Sequence, residues 1–184
     1  MRTFLAIDLD SELHQKVIEI QKKLKETKAD IKFVTPENLH FTLKFFGNID
    51  EKQLNEISNI VKKSIEDFHE FELHLKGIGV FPNKKYIRVI WIGVDNPEYF
   101  IKLQKKLDIE FNKIGFDLER DYVPHLTIGR VKTARNKDRL IKKINELENV
   151  TVGSMKVKEL SLKKSILRPE GPKYKDLQIF TLSK

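Results

Sequence analysis

Apolar and polar positions along this 184-residue chain fall into two periods, and the change from one to the other marks the elements. "TFLAIDL" at 3–9 is a near-continuous apolar run closed by Asp10, the pattern of a buried strand. Leu13, Val17, Ile20 and Leu24 then recur at helical spacing, with Ser11 placed to cap the helix. "IKFV" at 31–34 is a short extended piece. "TPENLHFTLKFFG" follows, with Pro36 in the approach and Gly47 closing a strand. "YIRVIWIGV" at 86–94 reads as a second buried strand. Asp95 or Asn96 can cap the helix after it, Pro97 suits its first turn, and Gly115 ends it. Phe100, Leu103, Leu107, Ile109 and Phe111 are that helix's main apolar residues. The segment "FDLERDYVP" leads into "HLTIGR".

The order strand, helix, strand opening on His-x-Thr thus occurs twice. His40 and His125 are 85 residues apart, and the same offset carries Phe4–Leu9 onto Val89–Val94. "QKKL" also recurs, at 21–24 and 104–107. Each His-x-Thr strand is followed by a helical segment, roughly 51–67 and 135–147. Strand-like stretches come next, at 71–81 and 155–167. The loop "RPEGPKY" and a last strand, "LQIFTL", close the chain. The expected fold is α+β: one domain over 1–184, built of two similar, closely packed lobes about a pseudo-two-fold axis. Two antiparallel-rich sheets would form a central cleft, with the helices outside. No low-complexity stretch separates the lobes.

Composition narrows the classes. The 40% hydrophobic and 34% charged content is that of a globular protein able to bury a core. With no cysteine, disulfides, a thiol nucleophile and Cys-ligated metal are excluded. "MRTFLAIDLD" reaches an aspartate too early for a signal peptide, and no apolar run approaches a membrane span. A cytoplasmic protein without membrane contact is expected. Charge is uneven: residues 1–100 carry 15 Lys and Arg against 16 Asp and Glu, whereas 101–184 carry 20 against 11. The basic half suits an anionic partner, nucleic acid first, although a solubilising surface gives the same count.

Strand alternation puts His40, Thr42 and Lys44 on one face, opposite Phe41, Leu43 and Phe45; His125 and Thr127 share a face opposite Leu126 and Ile128. A lone strand histidine is more often structural. Two in equivalent places of a duplication suggest one shared site. Two imidazoles and two hydroxyls suit in-line phosphoryl transfer: one ring takes a proton from the attacking oxygen, the other gives one to the leaving oxygen. The hydroxyls would hold the non-bridging oxygens. Neither strand carries a carboxylate on its histidine face, so zinc's usual ligand set is lacking and no metal site is assigned. His14, His69 and His74 read as surface residues. By alternation Lys44 could reach the phosphate, though a solvated rim lysine fits as well. Tyr122, Trp91 and Phe46 could stack a base, with core roles favoured for the last two.

"FLAIDL", "NLHFTLKFFG", "GIGVFPN", "VIWIGV" and "VPHLTIGRVK" together resemble the two-histidine (2H) phosphoesterase superfamily, and within it the bacterial and archaeal RNA 2′,3′-cyclic phosphodiesterases, also called 2′-5′ RNA ligases. The resemblance spans essentially the whole chain. It implies hydrolysis of 2′,3′-cyclic phosphate ends of RNA, tRNA fragments among them, to 2′-phosphates. It also implies a capacity to join RNA ends through a 2′-5′ bond, with neither metal nor cofactor. It casts His40 and His125 as the catalytic pair, Thr42 and Thr127 as phosphate binders, and Arg130 as a basic residue beside them. Strict alternation would turn Arg130 away from His125; a bulge near Gly129 would bring it back. A related enzyme acting on small cyclic nucleotides or oligoadenylates, and a non-catalytic RNA-end binder, are the alternatives. The two lobes already complete the site, so a monomer is expected.

Overall fold

β1 (Arg2–Asp8), β3 (His40–Asn48), β8 (Glu159–Ile166) and β9 (Lys173–Thr181) form one antiparallel half of the sheet. β4 (Phe71–Asn83), β5 (Tyr86–Val94), β6 (Leu126–Val131) and β7 (Thr151–Val157) form the other. The strand order is β7-β4-β5-β6-β3-β1-β8-β9, and the short β2 (Ile31–Phe33) pairs with β6. The halves, of four strands and of five with β2, meet through a single antiparallel pairing, Phe41 opposite Leu126, and so share one seam. The 85-residue offset relates β1 to β5 and β3 to β6 about that seam. The computed structural model describes residues 1–184.

Four helices, α1 (His14–Lys25), α2 (Glu51–Ser64), α3 (Glu98–Asn112) and α4 (Lys137–Glu146), complete the fold. They pack crosswise. α1 leaves β1 in the first half and packs with α4 against β6 and β7 in the second; α3 leaves β5 in the second half and packs with α2 against β3 in the first. Phe100 of α3 meets Phe41 edge-on at 5.9 Å between ring centres. Each lobe's core is therefore closed by the other repeat's helix, which ties the halves together.

Several boundaries depart from the sequence pattern. The stretch 155–167 is not one strand. It breaks at Lys158 into β7, beside β4, and β8, beside β1, at opposite sides of the seam. Asp10 rather than Ser11 accepts the first free amide, from Glu12, and opens a short 3₁₀ turn ahead of α1. Asn96 does not cap α3; its side chain accepts from the His74 amide and donates to the Glu72 carbonyl, stitching the helix entry to β4. Ile109 is 52% exposed, because positions 107, 109 and 111 cannot share one helical stripe. α2 starts with a capping box between Asp50 and Gln53, which satisfies two amides at its N-terminus.

Candidate active site

At the seam, Phe41 and Leu126 face the helices and are fully buried. Their neighbours His40, Thr42, His125 and Thr127 point to the other side and are half-buried. The antiparallel register sets Thr42 across from His125 and His40 across from Thr127. Diagonal neighbours on paired strands lie about 7–8 Å apart, so the two imidazoles stand close together on one face. The structure thus gathers all four residues of the two motifs on one patch of sheet.

The rings are held alike. His40 Nδ1 lies 2.7 Å from the Asn38 carbonyl, and His125 Nδ1 lies 2.7 Å from the Val123 carbonyl. A carbonyl only accepts, so the proton is fixed on Nδ1 and Nε2 is left for chemistry in both rings. Asn38 and Val123 are again 85 residues apart. The Thr42 hydroxyl sits 3.1 Å from His40 Nε2.

The third residue after each histidine is a bulge. Ala6 pairs with Thr42 and Leu5 with Lys44, which leaves Leu43 unopposed. Trp91 pairs with Thr127 and Ile90 with Gly129, which leaves Ile128 unopposed. A buried glutamine from the opposite repeat's helix satisfies each bulge: Gln104 Nε2 donates to the Leu43 carbonyl at 3.0 Å, and Gln21 Nε2 donates to the Ile128 carbonyl at 3.0 Å. These are the glutamines of the repeated "QKKL". Gln21 Nε2 also donates to the Val34 carbonyl at 2.9 Å, fixing the exit of β2.

The bulges decide two sequence expectations in opposite ways. At β6 the extra residue turns Arg130 to the histidine side, opposite Val89 and beside the exposed Lys32. At β3 it turns Lys44 to the helix side. Lys44 is 4% exposed, with Nζ 2.6 Å from Asp108 Oδ1, 2.5 Å from the Asp117 carbonyl and 3.3 Å from Glu119. It therefore cannot serve as a phosphate ligand. Burial works to raise the Asp108 carboxyl's pKa, but hydrogen bonds from Lys44, Tyr122 and the Glu119 amide outweigh it and hold it below the ordinary value.

Tyr122, expected as a base platform, belongs to this network through its hydroxyl. Its hydroxyl donates to Asp108 Oδ2 at 2.6 Å and Lys105 lies over its ring. Burial and then Asp108 push its pKa up to about 12. The rings next to His125 are instead Phe81, edge-on at 5.0 Å, and Trp91 at 6.1 Å. Trp91 lies across Gly79 and Gly93, where any β-carbon would collide with or crowd the indole. The core role expected for Trp91 is not what the structure shows: Ile90 and Ile92 face the core, so Trp91 between them faces the cleft. Phe46, by contrast, is a core residue against Phe111 and Phe116.

His40 has different walls: Phe4 at 5.0 Å and Tyr174 edge-on at 5.3 Å. Burial lowers its pKa, against the upward pull of the Asn38 carbonyl and Asp8. Lys163 stands nearby, 2.6 Å from Asp176 and 3.1 Å from Asp8; burial alone would depress it, but these carboxylates keep its pKa raised. Burial also lifts the Tyr174 hydroxyl, against the opposing influence of Arg130, Arg2 and Lys163. Sequence reasoning missed Tyr174 and Phe81, whose strands enter the cleft from far along the chain.

Paired strands that each offer an Nε2 and a hydroxyl to one gap sit at the centre of a duplicated fold, and comparison with known proteins shows the class to which that fold belongs. A family model described as LigT like Phosphoesterase matches twice, over residues 7–91 and 92–174, and the chain belongs to that family. It is 56% identical to an RNA 2′,3′-cyclic phosphodiesterase of Methanothermobacter thermautotrophicus, over 99% of each chain. It is 44% identical to one of Methanocaldococcus jannaschii, over 95% of this chain and 96% of the other. Among solved structures, Escherichia coli LigT complexed with 3′-AMP superposes with a TM-score of 0.80 at 25% identity, covering 100% of this chain and 98% of that one. Thermus thermophilus TT0787 gives 0.82 at 26%, covering 99% and 98%. No helix of the chain is long and apolar enough to cross a membrane.

Proposed function

We propose that this protein hydrolyses the 2′,3′-cyclic phosphate end of RNA to a 2′-phosphate, with His40 and His125 exchanging protons on either side of the phosphorus. The observation that carries this reading is the pair of Nε2 atoms, each freed by a carbonyl on Nδ1 and presented from paired strands to one gap. The names of the relatives at 56% and 44% identity support the substrate.

In the reaction, one neutral imidazole accepts a proton from water through Nε2. The water oxygen attacks the phosphorus in line with the P–O3′ bond. That bond breaks, and the second ring, protonated, delivers its Nε2 proton to O3′. The ester to O2′ stays. Thr42 and Thr127 hydroxyls donate to the non-bridging oxygens, where negative charge builds, and Arg130 adds positive charge at the rim. Each proton transfer contributes about 10²–10⁴-fold in rate. An RNA 5′-hydroxyl in place of water gives up its proton to the same ring and attacks along the same line. The product then carries a 2′-5′ bond, so ligation needs no further residue.

The test is a short RNA ending in a 2′,3′-cyclic phosphate, incubated with and without chelator. The expected product is the 2′-phosphate at equal rates. A 3′-phosphate, or a rate restored only by a divalent ion, would overturn the assignment.

A further inference from the structure

Beyond the histidine gap, the far end of β6 opens onto a pocket of about 250 Å³ between the β4–β5 turn, the segment after β6 and the start of α4. Five cations line it, Lys85, Arg88, Lys132, Arg135 and Lys137, and no carboxylate does. Lys137 donates to the Lys85 carbonyl, closing one side. Tyr86 is 59% exposed on the rim, its hydroxyl accepting from Arg88 at 3.2 Å with the guanidinium over its ring. Asn136, the residue before α4, caps no amide of the helix with its side chain and donates to the Lys28 carbonyl instead.

We propose that this pocket holds phosphates of the RNA chain several nucleotides upstream of the end being processed; the proposal rests on the reading of the histidine pair given above. Cations without a balancing carboxylate in the lining and a solvent-facing aromatic are what a single strand needs: charge for its backbone and a ring for a base. A protein or lipid partner would also see the charge, but the pocket's place at the end of the strand that carries Thr127 favours the RNA chain. The pocket lies at the far end of the strand that carries Thr127. Leu126–Val131 runs from one to the other, with Arg130 on the histidine face between them. At about 3.3 Å per residue the strand covers roughly 20 Å. Stacked nucleotides rise about 3.4 Å each, so the pocket lies about six nucleotides from the end, fewer if the strand is stretched.

Two substrates separate the pocket from the catalytic gap: a dinucleotide and a ten-nucleotide RNA, each with a 2′,3′-cyclic phosphate. A third probe, a labelled ten-nucleotide RNA with a plain 3′-hydroxyl, reads binding without turnover. The variant is Arg88→Gln/Lys132→Gln/Arg135→Gln, three exposed side chains whose removal leaves the core intact. Its KM for the ten-nucleotide substrate should rise about tenfold or more, with turnover of the dinucleotide unchanged. The slope of log affinity against log salt for the third probe should flatten by about 2, at roughly 0.7 for each phosphate no longer neutralised. Equal effects on both substrates, no effect on either, or weakened binding to phosphatidylserine vesicles with RNA binding intact would overturn the proposal. If the wild type processes neither cyclic substrate, the catalytic reading fails, while the salt slope still decides the pocket.

Discussion

The two halves of the site are copies that agree at the backbone and differ in their walls. Both hold Nδ1 on the carbonyl two residues back, both bulge three residues on, and both satisfy the bulge with a glutamine from the other repeat's helix. Yet His40 stands between Phe4 and Tyr174 near the Asp8–Lys163 pair, while His125 faces Phe81 and Trp91. Past the bulge the copies part further: Lys44 and Phe45 in one, Gly129 and Arg130 in the other. What orients a proton-carrying nitrogen is kept twice. What sets the ring's surroundings, and what can grip the rest of a substrate, is present once. A duplicated strand pair can in this way give an acid and a base from the same residue type.

The sharpest way to break the comparison is to delete each ring. His40→Ala and His125→Ala should each lower kcat by about 10²–10⁴-fold with the melting temperature little changed, since both rings are half-buried on the cleft face. Activity retained in either variant would remove that ring from the chemistry. The next largest effect concerns the position after the bulge. Lys44→Met leaves Asp108 buried without its cation, which typically costs about 3–5 kcal/mol, read from denaturant midpoints. The folded fraction should keep its KM. A large rise in KM at unchanged stability would instead put Lys44 on the phosphate. Because the Asp108 pKa is lowered in the fold, its stabilising contribution is present above the ordinary carboxylate value and fades as pH falls through the folded one.

Much of this arrangement is legible in the sequence, and the parts that are not mostly share one cause. Alternation and helical spacing disclose β1, α1, β3, β5, α3 and β6, and the 85-residue offset brings the His40 and His125 motifs into relation before any fold is known. Alternation carries no sign of a bulge, however, and a bulge reverses every face beyond it. That is why Lys44 reads as cleft-facing and lies in the core, and why Arg130 reads as core-facing and lies on the cleft. Tyr122 is a different case: nothing in the sequence shows that Asp108, fourteen positions away in the chain, takes its hydroxyl. The crosswise packing of α1 and α3 is likewise invisible to periodicity, which says which face a helix buries but not against which sheet. The repeated glutamines stand out in the sequence only as part of "QKKL"; a polar residue on an otherwise apolar stripe in both copies is the available clue.

Smaller effects come from those glutamines. Gln104→Leu removes one buried donor and leaves the Leu43 carbonyl unpaired, at about 1–3 kcal/mol. Gln21→Leu removes donors to two carbonyls, Val34 and Ile128, and should cost the larger share of that range. Each variant should disturb the histidine of the opposite repeat: Gln104→Leu the strand of His40, Gln21→Leu that of His125. Histidine ring resonances in NMR spectra report which ring moves. A shift confined to the mutated helix's own repeat would contradict the crosswise link.

The smallest expected effect is on the proton affinity of His40. Burial lowers its pKa below the ordinary value of 6.5, so the unfolded chain takes up the proton first as the solution is acidified. The contribution of the neutral ring to stability is therefore complete above pH 6.5 and declines as pH falls toward the folded value. Tyr174 supplies part of the wall that excludes water. Tyr174→Ala should admit solvent and move the His40 titration, followed through its ring protons, upward. An anion in the gap acts in the same direction by a different route, stabilising the imidazolium by charge, so inorganic phosphate should raise the His40 pKa in the wild type and in the variant alike. If opening the wall leaves the titration where it was while phosphate still moves it, the Tyr174 side of the wall is not what desolvates His40.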